Sequence, residues 1–126
     1  MPLVRISLKE GKPESYRRAL GKGVHTALLE EAKIPIGDEF QLITEHDGAG
    51  LVYGADYLDI HRDDDVVFIQ ITLNEGRSVE VKQALYARIA ELLAEDPGVR
   101  RENVLISLLE VPKENWSFGN GEAQYA

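Results

Sequence analysis

A chain of 126 residues with 22 acidic and 14 basic side chains, net charge −8, is poorly suited to nucleic-acid phosphates or an anionic membrane surface. It contains no cysteine, which excludes a disulfide framework and a thiolate site. Apolar content is 44 % and charged content 29 %, which fits a single domain spanning 1–126 with its own core. No secretory segment opens the chain and no apolar run is long enough to span a bilayer, so the expected residence is cytoplasmic.

The first predicted element is a strand near Leu3–Leu8, carried by Leu3, Val4, Ile6 and Leu8. It begins directly after Pro2. Removal of Met1, which is favoured by a small second residue, would leave Pro2 as a free secondary amine at a sheet edge. An α-amino group titrates near ~8, and an apolar pocket or a nearby cation lowers that value. Such an amine can act as a base, an acid or a nucleophile. The plainer reading is that Pro2 merely starts a strand, where its missing N–H costs little.

A helix follows near Pro13–Ala32. Tyr16, Leu20, Val24, Ala27 and Leu28 have the i, i+4, i+8, i+11, i+12 spacing of one apolar face. Ile34-Pro35 stops it. A second strand is predicted at Phe40–His46. Residues 47–65, with Gly48, Gly50 and Gly54, form a linking loop with a short hairpin through Leu51–Tyr53. Asp63-Asp64-Asp65 reads as a solvated turn. His25, His46 and His61 lack metal-ligand spacing, so no metal is expected. A third strand near Val66–Leu73, a helix near Ser78–Glu95 stopped by Pro97-Gly98, and a fourth strand at Val104–Val111 complete the pattern. Residues 112–126 form a C-terminal segment rich in aromatic and glycine residues.

The two halves are copies. The separation of Ile6 from Ile71, 65 positions, also carries Leu8, Glu10, Gly11, Ala19 and Leu20 onto Leu73, Glu75, Gly76, Ala84 and Leu85. Along the helices it carries Tyr16, Leu20, Val24, Ala27 and Leu28 onto Val81, Leu85, Ile89, Leu92 and Leu93. Each half, about 2–46 and 66–111, reads strand–helix–strand. A crossover helix makes the paired strands parallel and the connection right-handed. The expected fold is α/β (α+β): tandem β-α-β units forming a four-stranded mixed sheet with two helices on one face. Strands three and four read as apolar on both faces, and two helices cover only one face. A closed homo-oligomer would supply the missing cover.

If the units join through strands one and three as antiparallel neighbours, Pro2 lies near Thr72 to Arg77. Asp38, just before strand two, reaches the same edge, as does Asn115-Trp116-Ser117-Phe118-Gly119-Asn120-Gly121 after strand four. An amine, a carboxylate, a guanidinium and two aromatic rings therefore converge. Each has a plainer role: Asp38 in a turn, Arg77 as a solvated charge, Trp116 and Phe118 as packing. Against that, a helix N-terminus favours anions and an arginine there adds a bidentate carboxylate clamp. The glycines at 119 and 121 suggest a tight return, since the wider phosphate-loop pattern is absent.

Pro2, the segment Ile34-Pro35-Ile36-Gly37-Asp38-Glu39-Phe40-Gln41, Gly76-Arg77-Ser78 with Lys82-Gln83, and Trp116-Ser117-Phe118-Gly119 with Ala123-Gln124-Tyr125 together carry a family resemblance. Over essentially its whole length the chain resembles the tautomerase superfamily, and within it the malonate semialdehyde decarboxylase-like group. The resemblance implies a duplicated β-α-β fold assembled as a homotrimer, and catalysis without cofactor. Pro2 would be the catalytic amine. Asp38 would position or activate water or substrate. Arg77 would bind the substrate carboxylate, and Trp116 and Phe118 would wall the pocket. Some members carry a second arginine shortly before this one; Leu73-Asn74-Glu75-Gly76 offers none.

The expected activity is decarboxylation of a small oxo-carboxylate. Keto–enol tautomerisation or hydration of 2-oxo acids is the alternative, and a non-catalytic trimeric scaffold or small-acid binder is the rival from another class. Decarboxylation needs a protonated Pro2 and tautomerisation a neutral one. Met1 removal is the condition for either.

Overall fold

Both halves of the repeat fold alike because the same apolar positions recur in each. The computed structural model describes residues 1–126. The elements are β1 (Leu3–Lys9), α1 (Glu14–Glu31), β2 (Gln41–His46), β3 (Val67–Asn74), α2 (Val79–Glu95) and β4 (Val104–Val111), with short 3-10 turns at Tyr57–Asp59, Arg101–Asn103 and Lys113–Asn115. Pro13 stands at the N-cap of α1 with no side-chain cap, whereas Ser78 caps α2 by accepting from the Val81 amide at 3.2 Å.

The sheet order is β2-β1-β3-β4. β1 pairs with β2 and β3 with β4 in parallel, while β1 and β3 are antiparallel central neighbours with Leu3 opposite Thr72 and Ile6 opposite Ile69. This is the mixed sheet the repeat predicts. Val4, Ile6 and Leu8 of β1 and Val67, Ile69, Ile71 and Leu73 of β3 point to one face. There they meet Leu20, Val24, Ala27 and Leu28 of α1 and Leu85, Ile89 and Leu93 of α2 in one core. Gly23 lets the helices approach: a Cβ there would lie 2.8 Å from Cδ2 of Leu93.

The opposite face is less apolar than the strand sequences imply. Leu42, Phe68, Leu105 and Leu109 share it with Arg5, Ser7, Thr44, Gln70 and Ser107. Leu105 and Leu109 are 39 % and 45 % exposed, so this face carries partly solvated leucines between polar side chains.

One local expectation changes. Leu51–Tyr53 forms no strand; Leu51 turns inward while Val52 is 80 % exposed. Side chains organise this loop instead of a ladder. Asp47 accepts from the amides of Ala49 and Gly50, and Arg62 donates to the carbonyls of Gly54, Tyr57 and Ile60. The Asp63-Asp64-Asp65 run is exposed but paired: Asp63 with Arg100 at 2.8 Å, Asp64 with Lys9 at 2.9 Å and Asp65 with Lys12 at 2.8 Å. No helix is long and apolar enough to cross a membrane.

Candidate active site

The antiparallel β1–β3 pair sets the start of β1 beside the end of β3. Val4 donates to the Phe40 carbonyl at 3.0 Å, which fixes the entry to β2 at the same edge. Asn74 and Val111 pair at the far ends of β3 and β4, so the chain leaving β4 also emerges there. It turns at Lys113–Asn115 and delivers Trp116.

A cavity of about 200 Å³ forms at this edge, lined by Pro2, Leu3, Phe40, Trp116, Ser117 and Phe118. The predicted Trp116 and Phe118 are both walls, stacked with centroids 5.3 Å apart. Phe118 also meets Phe40 at 6.5 Å and the edge of Tyr125 at 5.5 Å. Gln124 holds this arrangement. It accepts from the Phe118 amide and donates to the Gly119 carbonyl, each at 2.9 Å, across a turn in which Gly119 adopts φ +141°. A longer side chain at 119 would strain that return.

Asp38 sits in the turn between α1 and β2, as the sequence predicts, with its amide bonded to the Pro35 carbonyl at 3.2 Å. Glu39 beside it pairs with His25 of α1 at 3.0 Å, which anchors the turn. Asp38 as a whole is only 5 % exposed, and neither carboxylate oxygen accepts a hydrogen bond. Its Oδ2 lies 3.4 Å from the α-amine of Met1, a charge contact without hydrogen-bond geometry. Pro2 itself is buried.

Arg77, expected to bind a substrate carboxylate at this edge, turns its guanidinium to main-chain carbonyls there. It does not line the cavity. Its Nε and Nη2 donate to the Ala32 carbonyl at 3.3 and 3.0 Å, and its Nη1 to the Asn74 carbonyl at 3.1 Å. The guanidinium thus closes the C-terminal end of α1, where carbonyls favour a cation. It is neither a free solvated charge nor fully committed: three of its five N–H donors are used.

Sequence reasoning missed three participants. Phe40 lines the cavity, Asn74 accepts the Trp116 indole N–H at 2.8 Å, and the Tyr125 hydroxyl meets Sδ of Met1 at 3.4 Å. Phe40 and Tyr125 both stand in segments that carry the family resemblance, whereas Asn74 gave no signal of its indole partner.

A larger cavity of about 380 Å³ lies at the other end of β1, among Lys9, Glu10, Gly11, Lys12, His46, Gly48, Asp64 and Asp65. It has no apolar wall, and both lysines are paired with the aspartates. The chemistry is better placed at the smaller one. No group of three or more His, Asp or Glu side chains converges as metal ligands.

One edge of the duplicated β-α-β sheet thus gathers a buried proline, a buried carboxylate and an aromatic-walled cavity. A family model described as a tautomerase enzyme matches residues 38–119, and a second of that description matches residues 2–59. The chain is 39 % identical over 124 residues to a probable tautomerase, YusQ, of Bacillus subtilis (strain 168), with 98 % of each chain covered. Among solved structures, the FG41 malonate semialdehyde decarboxylase inhibited by 3-bromopropiolate superposes with a TM-score of 0.92 at 39 % identity, covering 98 % of this chain and 93 % of that one. Another malonate semialdehyde decarboxylase, described with decarboxylase and hydratase activities, gives 0.91 at 26 % identity, covering 98 % and 95 %. The chain belongs to the tautomerase superfamily.

Proposed function

We propose that this protein is a cofactor-independent enzyme that uses the Pro2 amine, after loss of Met1, on a small oxo-carboxylate. Decarboxylation of a 3-oxo acid such as malonate semialdehyde is the reaction it supports best. The observation that carries this reading is the buried Asp38 carboxylate, with no hydrogen bond to either oxygen, at the edge where Pro2 leads into β1. A buried charge in that condition is expensive to keep and is characteristic of sites that use it.

In this scheme Asp38 favours the protonated Pro2 amine, as an opposite charge at close range does. The ammonium donates to the carbonyl oxygen of the substrate. The two N–H donors that Arg77 leaves free would take the carboxylate where the substrate extends past the cavity, and turn it out of the carbonyl plane. The bond between the α-carbon and the carboxylate carbon breaks, carbon dioxide leaves, and the electron pair becomes an enolate held by the Pro2 proton. Protonation of the α-carbon gives the aldehyde, so one proton is consumed per turnover. Trp116, Phe118 and Phe40 exclude water, which strengthens each charge interaction.

Tautomerisation is the second reading, favoured by the probable-tautomerase relative at 39 % identity. There the neutral amine moves a proton between carbon and enol oxygen. The enzyme works as a cytoplasmic homotrimer, with the exposed leucines of the outer sheet face covered by neighbouring copies; light scattering that finds a stable monomer at micromolar concentration would overturn that assembly.

The test is turnover by Met1-trimmed protein, following acetaldehyde from malonate semialdehyde beside ketonisation of a 2-hydroxy-dienoate. Acetaldehyde release that falls about 10²–10⁴-fold in Pro2→Ala is expected, the usual worth of a positioned acid or base. Failure to turn over any 3-oxo or 2-oxo carboxylate would overturn the proposal.

A further inference from the structure

Asn74, the last residue of β3, touches both the cavity wall at Trp116 and the proposed carboxylate binder Arg77. Its Oδ1 accepts the indole N–H of Trp116 at 2.8 Å, and its main-chain carbonyl accepts from Nη1 of Arg77 at 3.1 Å. The indole otherwise rests on Phe118 by stacking, at 5.3 Å and 13° between planes. Stacking tolerates sliding and tilting, because dispersion is weakly directional. A hydrogen bond does not, since it weakens steeply off its axis. The side-chain amide therefore decides where the indole edge lies over a cavity of about 200 Å³.

We infer that Asn74 is a positioning residue that fixes the Trp116 ring as one wall of the substrate slot and so restricts the slot to short-chain oxo-carboxylates. The inference rests on the reading that this cavity is the substrate site. The strand does not depend on this amide: Asn74 pairs with Val111 through its backbone, and the Glu75 amide bonds the Val111 carbonyl at 3.0 Å. Removing the side-chain oxygen leaves these main-chain ties in place. It also leaves the Asn74 carbonyl available to Arg77, which separates the indole effect from the guanidinium effect.

Trp116 is the only tryptophan, so fluorescence reports on this ring alone. In the intact, Met1-trimmed protein, Asn74→Ala is expected to shift the emission to the red and increase acrylamide quenching. It should raise KM for a three-carbon oxo acid about three- to tenfold, the worth of one ordinary hydrogen bond, and change kcat little. Asn74→Asp retains an acceptor and should restore parent-like emission. In a Trp116→Phe background, Asn74→Ala should add no further change in KM. Unchanged emission in Asn74→Ala, or an equal KM effect with and without the indole, would overturn the inference. The emission comparison needs no substrate, so an inactive parent would refute the proposed function while the indole's positioning is still judged.

Discussion

The α-amine of Met1 lies 3.4 Å from Oδ2 of Asp38, and that carboxylate is buried with no hydrogen bond to either oxygen. The cation at the chain start is thus the one close charge facing a carboxylate that water does not reach. Folding alone gives no reason to keep such a group, because a neutral side chain would avoid the desolvation. The proposed use of Asp38 beside the Pro2 amine, once Met1 is lost, would give one.

Asp38→Asn should therefore separate stability from activity. The amide removes a buried charge, so the thermal midpoint is expected to stay level or rise. Turnover by the Met1-trimmed enzyme should fall by about 10²–10⁴-fold, the range for loss of a positioned acid–base partner. Calorimetry beside a progress curve checks both. A variant that is less stable yet fully active would return Asp38 to a turn-forming role.

Arg77→Ala should cost both fold and function, because the guanidinium holds the Ala32 and Asn74 carbonyls. A hydrogen bond to a charged group is worth about 1.5–3 kcal/mol, so denaturant titration should show a loss of roughly that size. Turnover of an acid should fall further than that of its neutral ester. Arg77→Lys retains the charge but not the fork and should recover only part of either. Equal losses on acid and ester would show that Arg77 is a structural cap alone.

Acid should destabilise the protein through its paired carboxylates. The Asp65 amide, followed by the Asn103 amide and the Arg100 guanidinium, holds the Asp63 carboxyl below its usual range. Lys9 and then Tyr53 lower Asp64, and Arg88 lowers Glu30. A lowered folded pKa adds stability above the unfolded value, near ~4, that is lost as pH falls through the folded value. The thermal midpoint should thus drop below roughly pH 4, with a shallower fall in Asp63→Asn. An identical acid slope in that variant would remove Asp63 from the account.

Gly23→Val should destabilise without touching the site. The added carbons would enter the space held by Leu93 Cδ2, 2.8 Å from an ideal Cβ. Overpacking of this kind costs about 1–3 kcal/mol, readable as a lower denaturant midpoint with turnover per folded molecule unchanged. A midpoint equal to the parent's would mean that the helices part freely there.

Much of this was legible because the repeat writes each element twice. The start of α1 at Glu14 and of α2 at Val79 differ by the same 65 positions as Ile6 and Ile71. Pairing the duplicated strands antiparallel then carries Pro2, Asp38, Trp116 and Phe118 to one edge. Arg77 was legible in position but not in partner. Its guanidinium reaches a carbonyl 45 positions earlier, at the C-terminal end of α1, which no local pattern around Arg77 announces. Asn74 was hidden for a similar reason, since its partner Trp116 lies 42 positions on. The hairpin through Leu51–Tyr53 failed because Asp47 and Arg62 satisfy the loop's backbone groups locally, so no strand ladder is needed.

Site mapping after 3-bromopropiolate treatment would locate the reactive amine. The chain has no cysteine to compete as a nucleophile. Attack requires a neutral amine, so labelling should accelerate as pH rises through the amine's pKa. The expected result is one adduct per chain, on Pro2 of protein that has lost Met1, together with loss of turnover. An adduct on a lysine elsewhere, with Pro2→Ala still fully active, would contradict it.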